Sequence, residues 1–246
     1  MNNDNSTKVC VAICNYNHNK FLHQSIDSII KQEYKNLDIV VVDDGSDDPA
    51  GAKSIAQSFS DERVRYIQIE KNTGKWNALN VAFGSTDAAI CTSHDADDVA
   101  LHWRIAAQVN ALLETKTVHN LCGFISCWSD EELNKLYSES RGLEPSELRV
   151  IAGEDVTKAV LYGFDTPGIN HYFTGNFETA GVSSMFYKRI WQLGFKFLPP
   201  GQNLRTLLSE DSDFNFRVTT ALRSTSLLLE TPYLYRRNTS TNKEER

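Results

Sequence analysis

The tetrapeptide Asp95-Ala96-Asp97-Asp98 crowds three carboxylates into four positions, where they repel one another. Two chemistries suit such a cluster: a hard divalent cation held through oxygen, or a solvated acidic turn. Three more polar groups each follow a strand-like run, namely Asn15-Tyr16-Asn17-His18, Asp43-Asp44-Gly45-Ser46 and Asn72-Thr73-Gly74-Lys75. Two carboxylates cannot hold Mg2+ or Mn2+ alone, because such ions complete their shell with waters and phosphate oxygens. A diphosphate is the natural third party, with Lys75 as a compensating positive charge. The chain has neither a G-x-x-x-x-G-K-[ST] loop nor G-x-G-x-x-G, which argues against a P-loop NTPase and a dinucleotide fold. The phosphates are therefore expected to be held by metal. His94, beside the cluster, is read as packing or hydrogen bonding rather than as a third ligand.

For these groups to meet, the strands before them must lie parallel in one sheet, since open α/β sheets bind ligands outside the carboxyl ends of their strands. The hydrophobic pattern supplies such strands. Val9 to Cys14 reads as the first, and Leu37 to Val42 as a second, rich in β-branched residues. Between them Phe21, Leu22, Ile26, Ile29 and Ile30 recur at helical spacing. A helix over 49–59, a strand over 64–69, a helix over 74–83, a strand over 88–91 and a helix over 101–114 follow. These cycles predict an α/β fold with a mainly parallel, Rossmann-like sheet flanked by helices.

The second half is less regular. Residues 129–177 combine helical patterning over 150–161 with turn-forming Asp165-Thr166-Pro167-Gly168, and read as an insertion. Val182 to Tyr187 reads as a strand that rejoins the sheet, 211–222 as a helix, 227–229 as a strand and 238–246 as a polar, frayed end. A single domain is expected, in two parts over 8–115 and 116–237.

Composition sets the outer bounds. The 246 residues carry a net charge of −7, which argues against a nucleic-acid-coating surface and against strong attraction to anionic lipid. There is no transmembrane-length apolar run, and the first residues lack the apolar core of a secretory signal, so a cytoplasmic location is expected with peripheral membrane association left open. Five cysteines beside apolar segments suit reduced thiols better than a disulfide framework, and their spacing does not suit zinc.

Taken in order, these segments resemble the family 2 glycosyltransferases, inverting enzymes with the GT-A nucleotide-diphospho-sugar transferase fold. Val11 to Asn17 is similar to that family's opening strand and loop, with Cys14 where proline is common; Ile39 to Ser46 is similar to its second strand and acidic turn. Asn72 to Lys75 with Ala78-Leu79-Asn80 resembles its third segment, Asp95 to Asp98 its D-x-D motif, and Arg104 and Gln108 the Arg and Gln of its next helix. Ser183 to Phe186, Glu210 to Phe214 and Tyr233 to Arg236 resemble its closing segments.

The resemblance implies a metal-dependent, inverting transfer of a hexose-type sugar from a nucleotide diphosphate, with UDP favoured, onto a hydroxyl of a glycan or glycoconjugate. It implies that Asp43 contacts the base or ribose of the donor with Asn15 beside it, and that Lys75 lies near the nucleotide. It places Asp95 toward ribose or metal, makes Asp97 the principal ligand of Mn2+ or Mg2+, and has Asp98 orient the loop. Asp211 becomes the catalytic base, with Glu210 as fallback. Plainer roles stand beside these: a helix N-terminus for Glu210 and Asp211, a turn for Asp43 to Ser46, a solvated helix start for Lys75. Trp128, His171, Tyr172 and Phe173 suit either stacking on an acceptor sugar or a small core of their own. Two rival functions remain: a sugar nucleotidyltransferase, although Asn15 to His18 is not the Gly- and Arg-rich loop such enzymes carry, and a noncatalytic nucleotide-sugar binding module, which an intact Asp211 disfavours.

Overall fold

A computed structural model describes residues 6–140, 147–162, 178–179, 184–202, 209–230 and 232–237. The first half alternates as the sequence predicts: β1 (Val9–Asn15), α1 (Asn19–Ile30), β2 (Leu37–Asp44), α2 (Pro49–Ser58), β3 (Val64–Ile69), α3 (Lys75–Gly84) and β4 (Ile90–Asp95). β1 pairs in parallel with β2 and β4, and β2 with β3, giving the order β3-β2-β1-β4. Strand alternation sends Val9, Val11, Ile13, Ile39 and Val41 to one face, against Leu22, Ile26 and Ile29 of α1. Cys10, Ala12, Val40 and Val42 go to the other, against Ala78, Leu79, Ala82 and Phe83 of α3. Burial on both faces explains why these strands read as unbroken apolar runs.

The rest of the chain comprises β5 (Val99–Ala100), α4 (Arg104–Thr115), β6 (His119–Cys127), α5 (Asp130–Glu139), β7 (Val150–Ala152), α6 (Glu154–Tyr162), β8 (Glu178–Thr179), β9 (Met185–Tyr187), α7 (Lys188–Gln192), α8 (Glu210–Leu222), β10 (Thr225–Leu228) and β11 (Tyr233–Arg236). β9 lies antiparallel between β4 and β6, β10 runs parallel to β6, and β7 closes that edge antiparallel to β10. β6 then continues past the main sheet, pairing β8 on one side and β11 on the other, while β11 also pairs β5.

Two expectations change. The fourth strand starts at Ile90 and carries the polar stretch Thr92-Ser93-His94 into Asp95, so the acidic motif begins inside the strand rather than after it. Those polar residues are buried because Arg104 of α4 satisfies them, donating to Thr92 Oγ1 at 3.0 Å and to the Ser93 carbonyl at 2.9 Å. Within the expected insertion, β7 joins the main sheet and α6 packs Val156 against Leu121 and Leu227, so this part of the segment is built into the fold. The turn at Asp165 to Gly168, the residues His171, Tyr172 and Phe173, and Ser183 lie outside the described residues. The cysteines are free thiols, all buried except the half-buried Cys14. Among the described residues no helix is long and apolar enough to cross a membrane.

Candidate active site

Because β1 to β4 run parallel, their carboxyl ends open on one edge, and each polar group found there is tied to the next. Asn15, the last residue of β1, donates through Nδ2 to Asp43 Oδ2 at 2.7 Å, and the Ser46 amide donates to Asp43 Oδ1 at 3.0 Å. Asp43 is wholly buried, and the buried Asn15 Oδ1 has no hydrogen-bond partner. Asp44 holds the next loop: its Oδ1 accepts from the Thr73 amide at 3.0 Å and the Thr73 hydroxyl at 2.9 Å, its Oδ2 from the Gly74 amide at 2.7 Å. Gly45 makes that approach feasible, since at φ +74° a β-carbon would sit 2.4 Å from the Asn72 nitrogen.

Lys75, at the start of α3, reaches across to the acidic motif. Its Nζ lies 2.7 Å from Asp95 Oδ1, 3.5 Å from Asp211 Oδ2 and 3.8 Å from Glu210 Oε1. Burial alone would lower the ammonium pKa, but Asp95, Asp211 and Glu210 outweigh it and hold the group well above its usual value. Asp95 is pushed up to about 6, chiefly by burial, with Asp97 and Asp211 adding repulsion and Lys75 opposing both. Asp211 stands second on α8, after Ser209 at the cap position. Its Oδ1 accepts from the Ser209 hydroxyl at 2.5 Å and the Ser212 amide at 2.7 Å, which leaves Oδ2 toward Lys75. The helix-end and site readings of Asp211 are thus compatible, because three acids in the first turn also suit the helix dipole.

One oxygen from each of Asp95, Asp97 and Asp98 falls within 4.8 Å of the others, a hard-donor set that fits a divalent cation. The three are not equivalent. Asp98 is buried and already engaged, accepting the Tyr233 hydroxyl at 2.7 Å on Oδ2 and the Arg236 amide at 2.8 Å on Oδ1. Arg236 also donates through Nε to the Asp97 carbonyl at 2.7 Å, pairs with Asp130, and stacks over Phe21. A cation would therefore rest on Asp95 and Asp97. His94 turns its Nδ1 to the Arg104 guanidinium at 3.1 Å, and burial together with that charge lowers its pKa and keeps the imidazole neutral.

The residues expected for donor, metal and base lie in this one region: Asn15 with Asp43, and Lys75 with Asp95, Glu210 and Asp211, beside Asp97. Sequence reasoning gave no role to His18, whose Nδ1 is 3.5 Å from Asp97 Oδ2, nor to Tyr233 and Arg236, which set the acidic loop. His18 stood in the first polar group and Tyr233 and Arg236 in the last matched segment, but nothing in their spacing identifies their partners.

Known proteins share this architecture. S. aureus TarS 1–349 in complex with UDP-GlcNAc superposes with a TM-score of 0.65 at 17% identity, over 97% of this chain and 61% of that one. The mannosyltransferase PcManGT of Pyrobaculum calidifontis, in complex with GDP-Man and Mn2+, gives 0.61 at 18% identity, over 97% of this chain and 59% of that one. At such identities the likeness establishes the fold, the GT-A fold that the sequence predicts. In sequence, an uncharacterized glycosyltransferase of Rickettsia typhi is 34% identical over 201 residues, 80% of this chain and 60% of that protein. One of Haemophilus influenzae is 37% identical over 97 residues, 39% of this chain but 30% of that protein. The matched part thus spans less than two thirds of each relative. The model of the family described as "Glycosyl transferase family 2" matches residues 10–187, well over half of the chain. The chain belongs to glycosyl transferase family 2.

Proposed function

We propose that the protein transfers a hexose-type sugar from a nucleotide diphosphate, with UDP favoured, to a hydroxyl of a glycan or glycoconjugate, inverting the anomeric configuration. The observation that carries this reading is the position of Lys75 Nζ, 2.7 Å from Asp95 and 3.5 Å from Asp211. It sets the carboxylate suited to be the base beside the carboxylates suited to the donor's cation. Complexes of two proteins of the same fold with UDP-GlcNAc and with GDP-Man and Mn2+ support a nucleotide-sugar donor.

The chain's own groups then divide the work. Asn15 and Asp43 line the nucleotide end, where the unpartnered Asn15 Oδ1 has acceptor capacity for a base or ribose donor. Asp95 and Asp97 would hold Mn2+ or Mg2+, which when bound would supply positive charge to the departing diphosphate. Lys75 adds its ammonium to the same charge. Asp211 Oδ2 takes the proton of the acceptor hydroxyl as that oxygen attacks the anomeric carbon from the face opposite the leaving group, and the hydrogen bonds on Oδ1 fix the carboxylate plane. One displacement of this kind converts an α-linked donor into a β-linked product.

The test is UDP release from a panel of UDP-sugars with Mn2+, for the wild type and Asp211→Asn. Turnover in the wild type should fall by about 10²–10⁴ in the variant, the usual span for loss of a general base. Donor affinity without turnover in either form would identify a binding module instead.

A further inference from the structure

Strand alternation singles out one more face beside the acidic loop. β6 and β11 are parallel with Leu234 opposite Ile125, Tyr235 opposite Ser126 and Arg236 opposite Cys127. Paired residues share a face, so Leu234 and Cys127 point together into the core with Leu133. Phe124, Ser126, Tyr235 and, just past the strand ends, Trp128 and Arg237 gather on the opposite face. There the Phe124 and Tyr235 ring centroids lie 5.0 Å apart. The Arg237 guanidinium carbon is 4.7 Å from the Tyr235 ring, 5.5 Å from Phe124 and 5.8 Å from Trp128, and its Nε donates to Ser126 Oγ at 3.0 Å.

Two features go beyond a clip that fastens the end of β11. Trp128 is 65% exposed, although Phe124 next to it is buried, so a broad apolar ring is presented outward. The face also adjoins the reaction region: Tyr233, on the same side of β11, donates to Asp98 Oδ2 at 2.7 Å. Aromatic rings offer a flat surface for the C–H face of a sugar, and a guanidinium offers paired N–H donors to a carboxylate or phosphate. Charge complementarity settles the orientation. An anionic substituent is repelled by Asp95, Asp97 and Asp98 and attracted by Arg237, which turns the acidic end of a bound sugar outward.

Resting on the glycosyl-transfer reading, we propose that Trp128, Tyr235 and Arg237 form an acceptor subsite that takes an anionic sugar, its ring stacked on the aromatic rings and its carboxylate or phosphate held by Arg237. The test is binding of the whole protein to an array of matched neutral, uronate-bearing and phosphate-bearing oligosaccharides, with calorimetric UDP binding in Mn2+ measured on the same preparations. Acidic glycans should be retained over neutral ones, and the uronate and phosphate arms identify which anion is read. Trp128→Ala and Arg237→Gln should each weaken that retention roughly tenfold at an unchanged melting temperature, about 1.4 kcal/mol. Arg237→Lys, which keeps the charge but not the fork, should lie between. Equal retention of neutral glycans, an undiminished acidic signal in Arg237→Gln, or UDP binding without any glycan retained would overturn the subsite. Absence of UDP binding in the wild type would instead remove the transfer reading, and the subsite with it.

Discussion

Lys75 shows how one side chain can be shared among the acids of a site. Its ammonium occupies Asp95 Oδ1 at 2.7 Å while also facing Asp211 and Glu210, so three carboxylates share one cation. A divalent ion on Asp95 and Asp97 must compete with that contact. Replacing Lys75 with methionine removes the competitor and increases the local negative charge, and both effects favour a cation. Calorimetry on the nucleotide-free protein should therefore show tighter Mn2+ binding in Lys75→Met than in the wild type. UDP binding in Mn2+ should weaken, because a positive charge beside the phosphates is gone. Weaker Mn2+ binding in the variant would mean that Lys75 organises the carboxylates rather than competing for them.

At the scale of elements, β6 joins the halves of the site, and His119 fixes α8 to it. The buried imidazole has Thr225 Oγ1 at 3.1 Å from Nδ1 and Asn215 Oδ1 at 3.0 Å from Nε2, and Asn215 lies one turn beyond Asp211 on α8. Burial pulls the His119 pKa from 6.5 down to about 4. In that window the unfolded chain binds a proton that the folded chain excludes, so this contribution to stability is complete above pH 6.5 and is lost as pH falls toward 4. Acidification from pH 7 to pH 4.5 should cost the wild type about 2–3 kcal/mol through this group. His119→Gln has no nitrogen to titrate, and its unfolding free energy from urea titrations should drop by that much less; parallel losses would assign the acid sensitivity elsewhere. The same strand marks the limit of what the sequence reveals. β1 and β2 were legible because burial on both faces makes them apolar runs, and Asn15 and Asp43 were legible because they directly follow such runs. β6 was not, since its polar His119 and Asn120 are buried against Asn215, Thr225 and Ser226, about a hundred residues away. The roles of Tyr233 and Arg236 were hidden for the same reason: they meet Asp98 across 135 and 138 positions.

At the scale of the whole molecule, the two halves are joined through β9, which pairs with both β4 and β6, and both supply residues to the acidic loop. The family match ends at residue 187, yet Asp211, Tyr233 and Arg236 from beyond it complete the site around Asp95 to Asp98. Asp95, Asp97, Asp98, Glu210 and Asp211, gathered at one site of a chain of net charge −7, repel a bare diphosphate, so the proposed reading has donor affinity come through a cation. A donor bound as proposed, among residues of both halves, should stabilise the fold as one unit. At a ligand concentration of about 100 times Kd the gain is roughly 2.7 kcal/mol. For a chain of this size about 2–4 °C accompanies each kcal/mol, which predicts one melting transition raised by about 5–10 °C with UDP and Mn2+ together. UDP in the presence of a chelator should leave the transition nearly where it was, and Mn2+ alone should move it little while Lys75 holds Asp95. An equal rise with chelated UDP would show that the phosphates are gripped without a cation, and Asp95 and Asp97 would need another role. Two transitions, of which UDP and Mn2+ move one, would show that the site belongs to the first half and that the contacts of α8 and β11 do not couple the halves.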